Sequence, residues 1–262
     1  MSIENWFCGK TIQAKEYLDA CKKAVTDEYI FNSFKNMTGY QHILEHTSVE
    51  QAKIYSDKII QLIKKCNLDE NEIIPASKAN DFIGSPELTN FDNFGLISPS
   101  TLRYLLFALR LHEIVGGEEI ENFLDIGGGY GGMSLLANKI LGAKNIYLND
   151  LDEALALQEK YLAAHNVESV IESNIEMLEH KQFNVCVSTF AFSELTRKQR
   201  DAIKEKIFSN CKIIYLVCNF INNELFDDQE IFEFAGNSHE VFLEKELHEG
   251  HLCSVFTLIK KI

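Results

Sequence analysis

The chain has 262 residues, 46% of them apolar, enough for a sizeable core and too many for a disordered chain. A formal charge of −14 disfavours a nucleic-acid backbone as partner and points to small molecules. Seven cysteines without a CxxC pair, three of them (Cys186, Cys218, Cys253) inside apolar runs, read as reduced core residues. No apolar run approaches the ~20 residues of a bilayer span, and MSIENWFCGK lacks the pattern of a secretory leader. A cytoplasmic protein with no membrane span is therefore expected.

The first hundred residues read as helical, with no strand. Ala14, Tyr17, Leu18, Cys21, Ala24 and Val25 share one helix face, and Ala52, Tyr55, Ile59 and Leu62 share another. Thr47 and Glu50 give the second helix a capping-box start. Residues 80–100 hold Gly84, Pro86, Gly95 and Pro99 among aromatics and predict a structured loop. In it Phe82, Phe91 and Phe94 either stack on a ligand or anchor the loop in the core. Ser98 and Pro99 then serve as N-cap and first residue of a helix ending at Gly116-Gly117.

From Glu121 strands and helices alternate as in a parallel sheet with helical crossovers. Strands are expected at about 122–126, 145–149, 168–172, 183–188 and 212–218, followed by two extended runs joined at Glu249-Gly250 as an antiparallel finish. The division that follows is an N-terminal helical cap, residues 1–97, and a catalytic domain, residues 98–262.

NFLDIGGGYGGMS, residues 122–134, runs an apolar strand into five glycines and a helix. Such a turn lets a ligand approach the backbone closely. Asp150, about twenty residues further on, ends the next strand where a carboxylate can hold ribose hydroxyls. Gly127, Gly129 and Gly132 fit the dinucleotide GxGxxG, while Gly127, Gly129 and Gly131 fit the GxGxG of S-adenosylmethionine enzymes. Asp125, the helix ahead of the first strand and the antiparallel finish favour the methyl donor. The alternatives are an NAD(P)-dependent oxidoreductase and a non-catalytic cofactor-binding partner.

Residues 121–262 resemble the class I S-adenosylmethionine-dependent methyltransferases. SPSTLRY (98–104), LDIGGGYGG and STFAFSEL (188–195) are similar to the sugar O-methyltransferase family of bacterial polysaccharide gene clusters. The resemblance implies an α/β Rossmann-like fold, a mostly parallel seven-stranded sheet with an antiparallel C-terminal strand, and a sugar or nucleotide-sugar acceptor in polysaccharide biosynthesis. No Asn/Asp-Pro-Pro-aromatic motif follows the fourth strand, which favours oxygen over nitrogen as the methyl acceptor.

On this reading Gly127, Gly128, Gly129, Tyr130 and Gly131 meet the cofactor. Asp125 lies near its amino group, and Asp150 and Leu151 lie at the ribose. Ser173 and Asn174 flank the adenine, and Ser188 ends the fourth strand beside the cofactor. Asp152 is the better candidate for an ordinary helix N-cap. A sugar hydroxyl needs help to lose its proton. Glu194 is the candidate base, though it also suits a helix N-terminus; His251 and His239, which with His248 bracket the final hairpin, are the other candidates. Arg103, Tyr104 and Tyr130 are candidate acceptor contacts. His42 and His46, four apart, lack a third metal ligand, so no metal site is expected. Asp227, Asp228 and Glu230, near Asn222 and Asn223, read as an exposed acidic run, the alternative being ligands of a divalent metal.

Overall fold

A computed structural model describes residues 12–219, 226–248 and 250–261. The N-terminal third is helical: α1 (Ile12–Thr26), α2 (Glu28–Phe31), α3 (Thr38–Gln41), α4 (Val49–Lys65) and α5 (Glu70–Lys78). The predicted apolar faces of α1 and α4 are turned inward, with Tyr17, Leu18, Cys21, Tyr55 and Ile59 all buried. The start of α4 differs from expectation: Ser48, not Thr47, is the N-cap, and its Oγ accepts from the Gln51 N–H.

The loop over 80–100 contains a short hairpin, β1 (Thr89–Phe91) with β2 (Gly95–Ile97), which the sequence reading lacked. Phe91 and Phe94 anchor it in the core, whereas Phe82 is 74% exposed. Next comes α6 (Pro99–Val115), capped by Ser98 and closed by Gly116 in the left-handed region, as expected.

The sheet is built from β3 (Asn122–Ile126), β4 (Asn145–Asn149), β5 (Ser169–Ile171), β6 (Phe183–Thr189), β7 (Cys211–Cys218), β8 (His239–His248) and β9 (His251–Lys260). Its order is β5-β4-β3-β6-β7-β9-β8. Five strands pair in parallel, and β9 runs antiparallel to both β7 and β8. The expected strands and final hairpin are thus present; Glu249, at the turn, lies outside the described residues.

The crossovers are α7 (Gly132–Leu141), α8 (Asp152–Ala164), the one-turn α9 (Ala191–Glu194), α10 (Arg197–Lys206) and α11 (Gln229–Ala235). Alternation along β9 divides its neighbours: Phe256 packs on Phe226 and Phe232, while Val255 and Thr257 face the α4 and α6 side. One apolar cluster runs through cap and sheet, from Tyr17 to Leu258. Among the described residues no helix is long and apolar enough to cross a membrane, and no cysteine is in a disulfide.

The acidic run reads differently in three dimensions. Glu230 is buried and takes two hydrogen bonds from Arg200, while Asp228 pairs with Lys245; Asn222 and Asn223 lie outside the described residues. Burying Arg200 beside it keeps the Glu230 charge compensated.

Candidate active site

The chain leaves β3 for β4 and β5 on one side, then returns through β6 on the other. Ligands of open α/β sheets gather at this reversal, outside the carboxyl ends of the strands. A cavity of about 280 Å³ lies there. Gly127 and Gly129 after β3, Asp150 and Leu151 after β4, Thr189 to Ala191 and Glu194 after β6, and Asn219 after β7 line it. The cap supplies Tyr17, His42, Ile43, Leu44 and His46, α6 supplies Arg103 and Tyr104, and the last hairpin His248, His251 and Cys253.

The glycines are needed for two reasons. Gly127 and Gly129 have φ of +73° and +65°, which side chains with a Cβ adopt at a cost. At Gly128 a Cβ would stand 2.9 Å from Asp125 Oδ2. Asp125 lies beneath the loop rather than in the cavity wall. It is fully buried, its Oδ2 accepts from Ser134 Oγ at 2.8 Å, and its Oδ1 has no partner within the protein. Burial pushes its carboxyl up to about 7.

Asp150 does face the cavity. Its Oδ1 accepts from the Leu151 N–H at 2.8 Å and its Oδ2 from Gln158 Nε2 at 2.7 Å. Burial still raises it to about 7 against the pull of these donors. Gln158 Nε2 also reaches the Gly129 carbonyl at 3.1 Å, so α8 ties the acidic strand end to the glycine loop. Asp152 is not the N-cap of α8: Leu151 holds that position, and Asp152 sits in the first turn.

Glu194 ends α9 rather than opening the long helix, whose N-cap is Thr196 in a capping box with Gln199. Glu194 Oε1 accepts from Asn219 Nδ2 at 2.8 Å. Burial raises its carboxyl above the usual range, with Asn219 and His46 opposing the shift. Phe190, four residues earlier, has φ +72° and ψ −36°, a strained conformation for a side chain of its size.

The cap closes directly on the loop. Leu44 packs where a Cβ on Gly129 would meet its Cδ1 at 2.8 Å, and Arg103 Nη2 donates to the Leu44 carbonyl at 2.9 Å. Arg103 is 2% exposed, so one donor of its guanidinium holds the strap rather than an acceptor phosphate. Tyr104 is buried beside it, its phenol pushed up to about 12 by burial.

The remaining candidates lie elsewhere. Tyr130 is buried among Phe34, Tyr40, Tyr104 and Tyr161, with Lys35 Nζ 4.1 Å from its ring centre, and it joins cap to loop instead of lining the cavity. Gly131 packs beneath, against Leu162. Ser188 Oγ donates to the Ile126 carbonyl and accepts from the Phe192 N–H, bracing β6. Ser173 and Asn174 form a turn after β5, where Asn174 caps Glu176, and neither lines the cavity. His239 starts β8 at the opposite, amino edge of the sheet. His251 does line the cavity, as do His42 and His46 on the strap after α3. Among the described residues no group of three or more His, Cys, Asp or Glu is placed to hold a metal.

Three contributors escape a reading of the sequence: Gln158, Asn219 and Leu44. Gln158 carried a signal, as the one polar residue in the buried stripe of α8 beside Ala154, Leu155, Leu157, Tyr161 and Leu162. His248 is buried, its Nδ1 hydrogen-bonded to Tyr55 OH at 2.9 Å, so it presents its ring to the cavity.

No protein-family model matches the chain, and comparison with curated proteins gives no significant match. Among solved structures it is similar to Thermoplasma acidophilum 1320, at 13% identity and a TM-score of 0.50 over 73% of this chain and 97% of that one. It is also similar to magnesium protoporphyrin IX methyltransferase from Synechocystis PCC 6803 with bound S-adenosylhomocysteine. There the identity is 10% and the TM-score 0.49, over 61% of this chain and 82% of that one. TrmK of M. capricolum, in complex with S-adenosylhomocysteine, gives 10% and 0.45 over 58% and 68%. At these identities the likeness concerns the fold alone. That fold is a Rossmann-like one, a mostly parallel seven-stranded sheet with a single antiparallel strand, flanked by helices.

Proposed function

We propose that the protein is an S-adenosylmethionine-dependent O-methyltransferase acting on a hydroxyl of a sugar or nucleotide-sugar. One observation carries this reading: a single cavity at the switch point joins Gly127, Gly129 and Asp150 on one side to Glu194, Asn219 and His46 on the other. The chemistry of the first group fits the donor. A carboxylate accepts from both hydroxyls of a ribose diol, and the glycine backbone permits close approach. The bound donor would supply an electrophilic methyl group for in-line displacement.

The residues on the far side provide what a hydroxyl acceptor requires. Glu194, raised by burial and oriented by Asn219, sits where it can take the acceptor proton as the carbon–oxygen bond forms. His251, on the hairpin, is a second group able to exchange a proton there. Residues 1–97 act as a cap: the strap through Leu44 covers the glycine loop and excludes water, and Arg103 fixes it from α6. The similarity of SPSTLRY and STFAFSEL to sugar O-methyltransferases of polysaccharide clusters supports a sugar-type acceptor. The reduced cysteines suit a cytoplasmic enzyme.

The test is transfer of labelled methyl from S-adenosylmethionine to a panel of sugars and nucleotide-sugars. Label should appear at oxygen for at least one acceptor and vanish in Glu194→Gln. Label at nitrogen only, or none with any acceptor, would overturn the O-methyltransferase assignment.

A further inference from the structure

Gln158 is fully buried on α8 among Ala154, Leu155, Leu157, Tyr161 and Leu162, and it is not part of the cavity wall. A leucine would pack there without the cost of burying an amide. Only the hydrogen bonds of the amide offset that cost.

The two N–H groups of Gln158 Nε2 reach two different elements. One donates to Asp150 Oδ2 at 2.7 Å, at the end of β4, and the other to the Gly129 carbonyl at 3.1 Å, in the turn after β3. Both partners accept, so the amide must present its nitrogen; turned over, it would set an oxygen against two oxygens. Asp150 Oδ1 is held separately by the Leu151 N–H at 2.8 Å. Each carboxylate oxygen thus has a donor from the protein, which fixes the plane of the group and leaves further lone pairs for a ligand.

Electrostatics call for the same donor. Asp150 is buried, and the groups that feel its charge are Asp125 on β3 and Tyr17 and Cys21 on α1, none of them a cation. Burial raises its carboxyl, and what opposes the rise is hydrogen bonding from the Leu151 N–H, Gln158 and the Gly129 N–H. Gln158 is the side chain in that set, and it also holds the carbonyl of Gly129. Its removal would drive the carboxyl further up and leave Asp150 protonated at neutral pH.

We propose that Gln158 is a positioning residue for the donor half of the cavity: it locks the Asp150 carboxylate and the Gly129 turn into one frame that receives a ribose diol. It acts through those two groups and does not touch the ligand. This assignment rests on the S-adenosylmethionine binding proposed above.

The test is calorimetric titration of the full chain with S-adenosylhomocysteine, in wild type, Gln158→Met, Asp150→Ala and the double variant. Gln158→Met nearly keeps the volume and removes both donors; it should weaken binding about tenfold at neutral pH. In the Asp150→Ala background the same substitution should cost less than about threefold, because the main group it acts through is gone. The loss should shrink towards about pH 9, where Asp150 ionises unaided, whereas a merely structural role would lower affinity equally at every pH. Gln158→Glu, of the same shape, sets a carboxylate against Asp150. It should weaken binding at least as much, and it is the decisive variant if Gln158→Met misfolds. Undiminished binding in either folded variant, equal losses in the two backgrounds, or a loss that does not vary with pH would overturn the proposal and leave the cofactor assignment standing. No binding by the wild type would overturn the cofactor assignment, and this proposal with it.

Discussion

Along the amino edge of the sheet, asparagine side chains are satisfied by neighbouring backbone and side chains in partial contact with solvent, although the buried Nε2 of His239 is unpartnered there too. Asn184 Oδ1 accepts from the Asn122 N–H, Asn122 Nδ2 donates to the Gln182 carbonyl, and Asn210 Nδ2 donates to the Glu179 carbonyl. Along the carboxyl edge, Asp125 Oδ1, Asn149 Oδ1 and Gln158 Oε1 are buried and have no partner in the protein. Burial there holds Asp125 and Asp150 near 7, and Phe190 keeps a positive φ. Stability alone would favour the first arrangement at both edges. Unspent polar groups and backbone strain persist where a ligand supplies the missing partners, which marks the carboxyl edge as the working one.

Substitutions at the two edges should therefore differ sharply. The largest effect is expected for Glu194→Gln, with turnover reduced by ~10² or more and S-adenosylhomocysteine affinity nearly unchanged. Parallel steady-state kinetics and calorimetry check it; an equal loss in both would make Glu194 a binding residue. Asp150→Ala should weaken S-adenosylhomocysteine about thirtyfold, through loss of charge-assisted hydrogen bonds.

Acidity gives the same comparison a sign. On the proposed function the ribose hydroxyls would donate to an ionised Asp150, so affinity should fall as pH drops through about 7, and Asp150→Asn should flatten that profile. In the free protein the direction reverses. A carboxyl raised from 3.8 to about 7 on folding binds more protons when folded, so its contribution to stability declines as pH rises from about 4 to 7. Asp150→Asn should accordingly raise the thermal midpoint at pH 8 relative to wild type.

Smaller effects separate the loop from ordinary turns. Gly128→Ala drives a Cβ into the Asp125 carboxyl and should cost about 1–3 kcal/mol, together with cofactor affinity. Gly142→Ala meets nothing within 4 Å and should cost only the ~1 kcal/mol of its positive φ, with affinity unchanged. Denaturant unfolding and calorimetry distinguish the two. The smallest effect belongs to His239→Ala at the amino edge, with turnover within about twofold of wild type; a larger loss would break the contrast between edges.

Much of this architecture was legible in the sequence because β3 and β4 are short, mostly apolar segments, β3 broken only by Asp125 after its first residue, that lead into Gly127 and Asp150. The helix after Ser98-Pro99 was equally plain, since its cap chemistry is local. The β1-β2 hairpin was not, because three-residue strands carry too little alternation to register. The N-cap of α4 was missed by one residue because Thr47 and Ser48 both carry the needed hydroxyl. His239 and His251 looked alike as flanks of the final hairpin. The opposite directions of β8 and β9 and ten residues of strand send them to opposite edges. Leu44 was invisible for a different reason: its role is to touch Gly129 and offer a carbonyl to Arg103, and no residue type signals a backbone contact.

The most direct test of the central claim is calorimetric titration of the full chain with S-adenosylhomocysteine beside reduced nicotinamide dinucleotide, repeated on Asp150→Ala. Low-micromolar binding of the first, none of the second, and a marked loss in the variant are predicted. Binding of the nicotinamide nucleotide instead, or S-adenosylhomocysteine affinity indifferent to Asp150, would contradict the assignment of this cavity.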